Sequence, residues 1–133
     1  MTSENAGSDD RVNARVGAKQ FLSVLFDAMN QKDLSPLDDA LSDDAVFLFP
    51  KTAPLEGKKR ILSFLKILFR KYPNLTFTIG RTTGDPVTAA AEWTNRGESK
   101  NGEVYENAGV TFLEAQDGRI VYISDTFKDT GKF

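Results

Sequence analysis

One aspartate is the main candidate for chemistry in a chain that lacks the usual acid–base residues. The 133 residues include neither histidine nor cysteine, so Ser-His-Asp and Cys-His catalysis, disulfides and sulfur-based zinc sites are excluded. If residues 119–128 alternate as a strand, Asp125 shares one face with Val121, Ile123 and Phe127. Burial on that apolar face would raise the pKa of Asp125 and make it a proton shuttle near neutral pH. The alternative is that the strand frays near its end and leaves Asp125 solvated.

Candidates for ligand contact lie on the two preceding strand-like segments. In residues 87–95, the face that carries Trp93 is otherwise made mostly of small side chains, which would leave volume for a ligand with the indole as a wall. Trp93 could equally be an ordinary core residue. Tyr105 and Asn107 share a face of the next segment, where they could hydrogen-bond a ligand or only cap a hairpin.

Two charged clusters are better explained by structure than by binding. Asp43 and Asp44 are adjacent, so strand geometry would point them to opposite faces, and no third metal ligand is evident. We therefore predict a structural turn cap there, no metal site and no cofactor. The basic residues within 58–71 are typical of a solvated helix face.

Composition and segment lengths restrict partners and location. The 17 Lys and Arg residues against 19 Asp and Glu give a net charge of −2, which disfavours nucleic acid as a partner. No apolar run reaches the roughly 18 residues of a membrane span. Residues 1–11 are polar and lack the apolar segment of an export signal, so we predict a disordered tail and a cytoplasmic protein. Residues 12–133 are expected to form one domain.

Apolar periodicity predicts the elements that would position these residues. Apolar residues at three- and four-residue steps predict a helix over 12–31 and another that Glu56-Gly57 opens and Tyr72-Pro73 stops. Ser35-Pro36 would begin a short helix between them that runs to about Leu41. Alternating or short apolar runs, with Asp117-Gly118 as a tight hairpin turn, predict the following strands: 45–49, 75–83, 87–95, 105–114 and 119–128. This order predicts an α+β fold with three helices, in which a curved, mostly antiparallel sheet wraps around the long N-terminal helix.

Several motifs resemble a known superfamily. Ser42-Asp43-Asp44-Ala45-Val46-Phe47, then Pro50, then Glu56-Gly57-Lys58-Lys59-Arg60-Ile61 is similar to the "DDA…P…G…I" signature of ketosteroid isomerases and SnoaL-like polyketide cyclases. The second half of the SnoaL-like pattern resembles Ala91-Glu92-Trp93, Gly102, Tyr105, Asp117-Gly118-Arg119-Ile120 and Ser124-Asp125. The resemblance covers residues 21–129 and implies the cone-shaped fold of nuclear transport factor 2. That fold hosts isomerases, cyclases, epoxide hydrolases, dehydratases and noncatalytic modules.

The resemblance also tests individual catalytic positions. The base, tyrosine and aspartic acid of ketosteroid isomerases fall on Phe49, Leu25 and about Val110, which are apolar and cannot move the proton or stabilise the enolate. The Arg-x-Asp pair of limonene-type epoxide hydrolases falls on residues 91–93, which lack both members. Both chemistries are therefore disfavoured. Asp125 matches the aspartate that SnoaL-like cyclases use as acid and base for an aldol closure.

Two functional hypotheses follow. In the first, the cone encloses an apolar pocket for a small hydrophobic molecule, and Asp125 makes the protein a histidine-free lyase, cyclase or isomerase. The residues expected to contact the ligand in that pocket are Leu25, Phe49, Trp93, Tyr105, Asn107, Val110 and Ile123. In the second, the domain is a noncatalytic ligand-binding or dimerisation module. An open cavity beside Asp125 would favour the first hypothesis, and a filled cone the second.

The outer face of the sheet is expected to form a homodimer. It would carry a partly apolar mixture on two strands, namely Thr88, Ala90, Glu92, Thr94, Ile120, Tyr122, Ser124 and Thr126. Because the three helices are needed to line the other face, none remains to cover this one.

Overall fold

The computed structural model describes residues 16–129, so the predicted tail over residues 1–11 lies outside the described residues. The elements in chain order are α1 (Ala18–Gln31), α2 (Ser35–Ala40), β1 (Leu41–Leu48), β2 (Leu55–Glu56), α3 (Lys58–Lys71), β3 (Thr76–Gly84), β4 (Thr88–Glu98), β5 (Val104–Gln116) and β6 (Arg119–Phe127). The predicted α+β cone fold is confirmed. No helix in residues 16–129 is long and apolar enough to cross a membrane.

Helix α1 begins later than the periodicity suggests. Val16 and Gly17 precede the helix, and the Gln20 side chain accepts a hydrogen bond from the Gly17 N–H at 3.1 Å. A Cβ at Gly17 would lie 2.6 Å from the Cα of Pro86, so only glycine allows this approach. The Ala18 N–H then donates to the Pro86 carbonyl at 2.9 Å, which ties the start of α1 to the β3–β4 turn.

Strand β1 is longer than predicted, and it contains the acidic pair. Asp43 and Asp44 are exposed and lie in β1 rather than in a turn, so the predicted turn cap is wrong. The register between β1 and β6 shifts between Leu41 and Val46, which accommodates the two carboxylates at an irregular part of the strand. The two-residue strand β2, which the sequence did not predict, pairs with β1 through Val46 and Glu56.

One mixed sheet contains all six strands, in the order β2-β1-β6-β5-β4-β3. Only β1 and β6 pair in parallel, and every other neighbouring pair is antiparallel. Asp117 and Gly118 turn with φ of 54° and 72°, as a two-residue hairpin turn requires. The predicted hairpin between β5 and β6 is confirmed.

Aromatic rings fill the space between the helices and the sheet. Helix α1 packs against β3, β4 and β5, and α3 packs against β1. Neighbouring ring centroids lie 4.7 to 5.5 Å apart along the series Phe64, Phe49, Phe127, Trp93, Phe77 and Phe26. Such tilted and edge-on contacts stabilise a core beyond the burial of apolar surface. Phe127 in this series lies on β6, the strand that carries Asp125.

Candidate functional site

A line of hydrogen-bonded side chains crosses three adjacent strands and ends at Asp125. The Trp93 indole N–H on β4 donates to Thr111 Oγ1 on β5 at 2.9 Å, and the Thr111 hydroxyl donates to Asp125 Oδ1 on β6 at 2.6 Å. Thr111 and Asp125 are directly opposite in the β5–β6 pairing. The indole reaches Thr111 diagonally because Gly109, its own partner across the strands, has no side chain to block it.

Burial differs along this line. Trp93 and Thr111 are 2% and 1% exposed, whereas Asp125 retains partial exposure. Desolvation of the carboxyl raises the pKa of Asp125 to about 7, and the hydrogen bond from Thr111 opposes that rise. Asp125 can therefore both donate and accept a proton near neutral pH.

Several predicted contact residues lie in the same interior. Ile123 and Phe127, on the strand of Asp125, are 0% and 7% exposed. Phe49 follows β1 directly, and its ring lies 5.2 Å from that of Phe127. Leu25 is buried on α1. These side chains are placed together in an apolar interior, where they pack against one another.

Tyr105 and Asn107 lie nearer the start of β5 than Thr111 and belong to a different cluster. The Asn107 side chain donates to the Tyr105 hydroxyl at 3.2 Å and to the Asp129 carbonyl at 2.8 Å. Its Oδ1 accepts from the Ala108 and Asp129 N–H groups at 2.9 and 3.2 Å. The Tyr105 ring stacks on Tyr72 at 5.1 Å. These contacts hold the backbone beyond β6.

Val110 does not share a site with Asp125. It is 36% exposed and pairs with Thr126 on the outer face of the sheet. There it lines a shallow cavity of about 300 Å³ together with Arg81 and Glu92, whose ion pair measures 3.5 Å.

Thr111 is the residue that sequence reasoning missed. An unbroken register from the Asp117-Gly118 turn would pair Asp125 with Val110, but the observed pairing shifts between Glu114 and Ala115. This bulge leaves one extra residue on β6 and brings Thr111 opposite Asp125. The same shift corrects two face assignments: Ile120, predicted on the outer face, is fully buried, and Val121 no longer alternates in step with Asp125.

A metal centre finds no support in residues 16–129, where no three His, Cys, Asp or Glu side chains are grouped closely enough to hold an ion. The predicted acidic pair is accounted for by local contacts. The Ser42 hydroxyl donates to Asp44 at 2.9 Å, and Lys58 lies 3.7 Å from Asp43.

The fold and this carboxyl on the inner face of the sheet agree with a family assignment. The model of the SnoaL-like domain family matches residues 23–123, so the chain belongs to that family. No curated protein matches the sequence.

Solved structures extend the likeness in fold. An NTF2-like protein from Anabaena variabilis is 19% identical with a TM-score of 0.76, and the match covers 99% of this chain and 97% of that one. A candidate polyketide cyclase from Xanthomonas campestris is 20% identical with a TM-score of 0.74, covering 87% and 90% of the two chains. A candidate SnoaL-like polyketide cyclase from a Jannaschia species is 15% identical with a TM-score of 0.73, covering 80% and 82%. At these identities the likeness shows the fold alone.

Proposed function

We propose that the protein binds a small hydrophobic molecule at the Asp125 end of the apolar interior and that Asp125 exchanges a proton with it. The single observation that carries this proposal is a desolvated carboxyl with a pKa of about 7 on an otherwise apolar strand face, in a residue that is itself partly exposed. Such a group can serve as general base and then as general acid without histidine. Phe49, Phe127 and Ile123 are buried near it and keep its surroundings apolar.

A ring closure of the aldol type suits this arrangement. The Asp125 carboxylate would take a proton from a carbon next to a carbonyl group, and the resulting enolate would form a carbon–carbon bond to a second carbonyl. The alkoxide would then take the proton back from the carboxylic acid, so that no group is consumed. The similar structures described as candidate polyketide cyclases support this reaction class. Isomerase and lyase chemistry would begin with the same proton abstraction.

The first step can be tested without the natural substrate. The probe is 1-phenylbutane-1,3-dione, a hydrophobic dione whose central C–H exchanges with deuterium on loss of a proton, followed by NMR. The wild type is expected to accelerate exchange, and Asp125→Asn to lose about 100-fold or more of that acceleration. Glu92→Gln, an exposed carboxylate on the outer face of β4, is the matched control and should keep the full rate. Equal rates for the wild type and Asp125→Asn would contradict the proposal.

A noncatalytic module is the second candidate, and the aromatic filling of the interior favours it. In that case the outer face of the sheet would carry the function by forming a homodimer. Phe112 is 38% exposed there, and its ring contacts Tyr122 edge-on at 6.0 Å. The exposed Arg81–Glu92 pair could re-form across a two-fold axis, because such an interface places the same patch on both subunits.

Sedimentation tests the dimer. A dimer at micromolar concentration, converted to monomer by Phe112→Glu, is the expected result. A wild-type monomer at that concentration would contradict it. A dimer without dione exchange would favour the module over the enzyme.

A further inference from the structure

The Trp93–Thr111–Asp125 line has a direction that follows from the chemistry of its groups. An indole N–H can only donate, so Thr111 Oγ1 must be the acceptor in the 2.9 Å contact with Trp93. The Thr111 hydroxyl carries a single hydrogen, which it donates to Asp125 Oδ1 at 2.6 Å. That length is in the range of hydroxyl-to-carboxylate hydrogen bonds.

Reversal of the second hydrogen bond would be costly. If Asp125 Oδ1 carried the proton and donated to Thr111, the threonine hydrogen would have to turn toward another acceptor. Thr111 is 1% exposed, so solvent does not provide one. A buried donor left without an acceptor costs about 1–3 kcal/mol, which corresponds to roughly a 5- to 150-fold preference for the observed direction.

We propose that Trp93 and Thr111 act as positioning residues that keep Asp125 Oδ1 as a hydrogen-bond acceptor, so that Asp125 gains and loses its proton at Oδ2 alone. The proposal deepens the proposed function and rests on it only for its catalytic use, because the proton placement exists in the protein without substrate. A reacting C–H or hydroxyl would then have to approach Oδ2. The two positioning residues would thereby determine the orientation of the substrate.

The neighbours that the pairing of the described strands places beside the carboxyl are uncharged. Thr111 faces Asp125 from β5, and Phe49 lies one residue beyond the Leu48–Ser124 pair of β1 and β6. Ile123 and Phe127 flank it on its own strand. Among residues 16–129, the pKa of Asp125 responds only to desolvation and to the Thr111 hydroxyl. The direction of the line therefore depends on the two positioning residues.

The only tryptophan of the chain lies at the other end of the line and provides a built-in reporter. Its indole N–H gives one NMR cross-peak, while the Asp125 side-chain carbon reports the carboxyl directly. In the wild type both signals should titrate with the same midpoint, near pH 7. In Asp125→Asn the indole signal should stay constant through that range. Titration of the Asp125 carbon while the wild-type indole signal stays constant would overturn the proposal.

Thr111 variants separate transmission through the hydroxyl from a direct effect through space. Thr111→Val keeps the shape and removes the hydroxyl. The Asp125 midpoint should then rise by about one pH unit, because the hydroxyl bonds the charged carboxylate more strongly than the neutral acid and its loss disfavours the charged form. The indole signal should then no longer follow it. Thr111→Ser should restore both behaviours, and it also serves if Thr111→Val fails to fold. An unchanged midpoint in Thr111→Val, or an indole signal that still follows Asp125 with full amplitude, would overturn the proposal.

These outcomes are independent of catalysis. A coupled titration together with absent dione exchange would leave the proton placement standing and remove the proposed enzyme activity. Full dione exchange with an uncoupled indole would do the reverse.

Discussion

Two polar clusters share the inner side of strand β5, and they use their hydrogen bonds differently. Around Asn107, the side-chain amide bonds to the backbone of Ala108 and Asp129 as well as to Tyr105. Around Thr111, each bond joins one side chain to another and the last partner is a carboxyl. Bonds to backbone hold the chain in place, whereas bonds between side chains that end on a titratable group control where a proton resides. The contrast favours Thr111 over Asn107 as a functional residue.

The largest effect is expected where the two clusters are separated, at Gly109. A Cβ at this position would collide with the Thr126 carbonyl oxygen and would lie 2.6 Å from Trp93 Cζ2. Gly109→Ala should lower the free energy of unfolding by about 3 kcal/mol in urea denaturation, because both neighbours belong to the packed sheet. Gly80→Ala is the matched control: its Cβ would meet the Glu92 carbonyl at an ordinary 3.5 Å, so stability should change little. Similar losses for the two variants would show that the Trp93 contact is not restrictive.

An intermediate effect is expected from Asn107→Ala. The change removes the hydrogen bonds that fasten Asp129 and leaves the Tyr105 hydroxyl without that donor, so the free energy of unfolding should fall by about 2 kcal/mol. The Asp125 titration midpoint should stay in place when measured by NMR. If Asn107→Ala moves that midpoint as far as Thr111→Val does, the two clusters are not distinct.

The smallest effect is the pH dependence of stability. The folded-state pKa of Asp125, about 7, lies above the value of about 3.9 for an unfolded aspartate. The folded protein therefore retains a proton that the unfolded chain has lost, and this residue's contribution to stability falls as pH rises from about 4 to about 7. Asp125→Asn should remove this slope and be more stable than the wild type at pH 8 by about 1–2 kcal/mol, with partial exposure limiting the gain. Parallel stability curves for the two proteins between pH 4 and 8 would contradict this interpretation.

Local patterns were sufficient for much of the fold. The apolar spacing predicted the helices, and Asp117-Gly118 predicted the hairpin that joins β5 to β6. The residue that faces Asp125 depends on the register between two strands, which local patterns do not determine. The bulge near Ile120 and Val121 has no residue signature of its own, yet it decides whether Val110 or Thr111 faces Asp125. Side-chain alternation therefore assigned Ile123, Asp125 and Phe127 to the correct face and failed at Ile120 and Val121, where the bulge lies.

The sequence also could not predict whether the interior is open or filled by side chains. Trp93 was identified both as a pocket wall and as a core residue, and only the packing of its ring against Phe77 and Phe127 distinguishes the two. Small residues such as Ala89 and Ala91 leave volume on their own strand, but aromatic rings from other strands, among them Phe77 and Phe127, occupy the interior. Such contacts depend on the curvature of the whole sheet.

The position of β6 in the sheet has a consequence for biosynthesis. It follows the other five strands in the chain and yet lies between β1 and β5. On the ribosome, the β2-β1 pair and the β5-β4-β3 strands cannot join into one sheet until β6 emerges. Until then the facing edges of β1 and β5 remain unpaired. Unpaired edges of this kind invite aggregation, so this stage of synthesis is the most exposed one. Asp125 lies on β6, the strand that joins the two parts of the sheet. Its carboxyl is therefore synthesised only after the strands that will surround it.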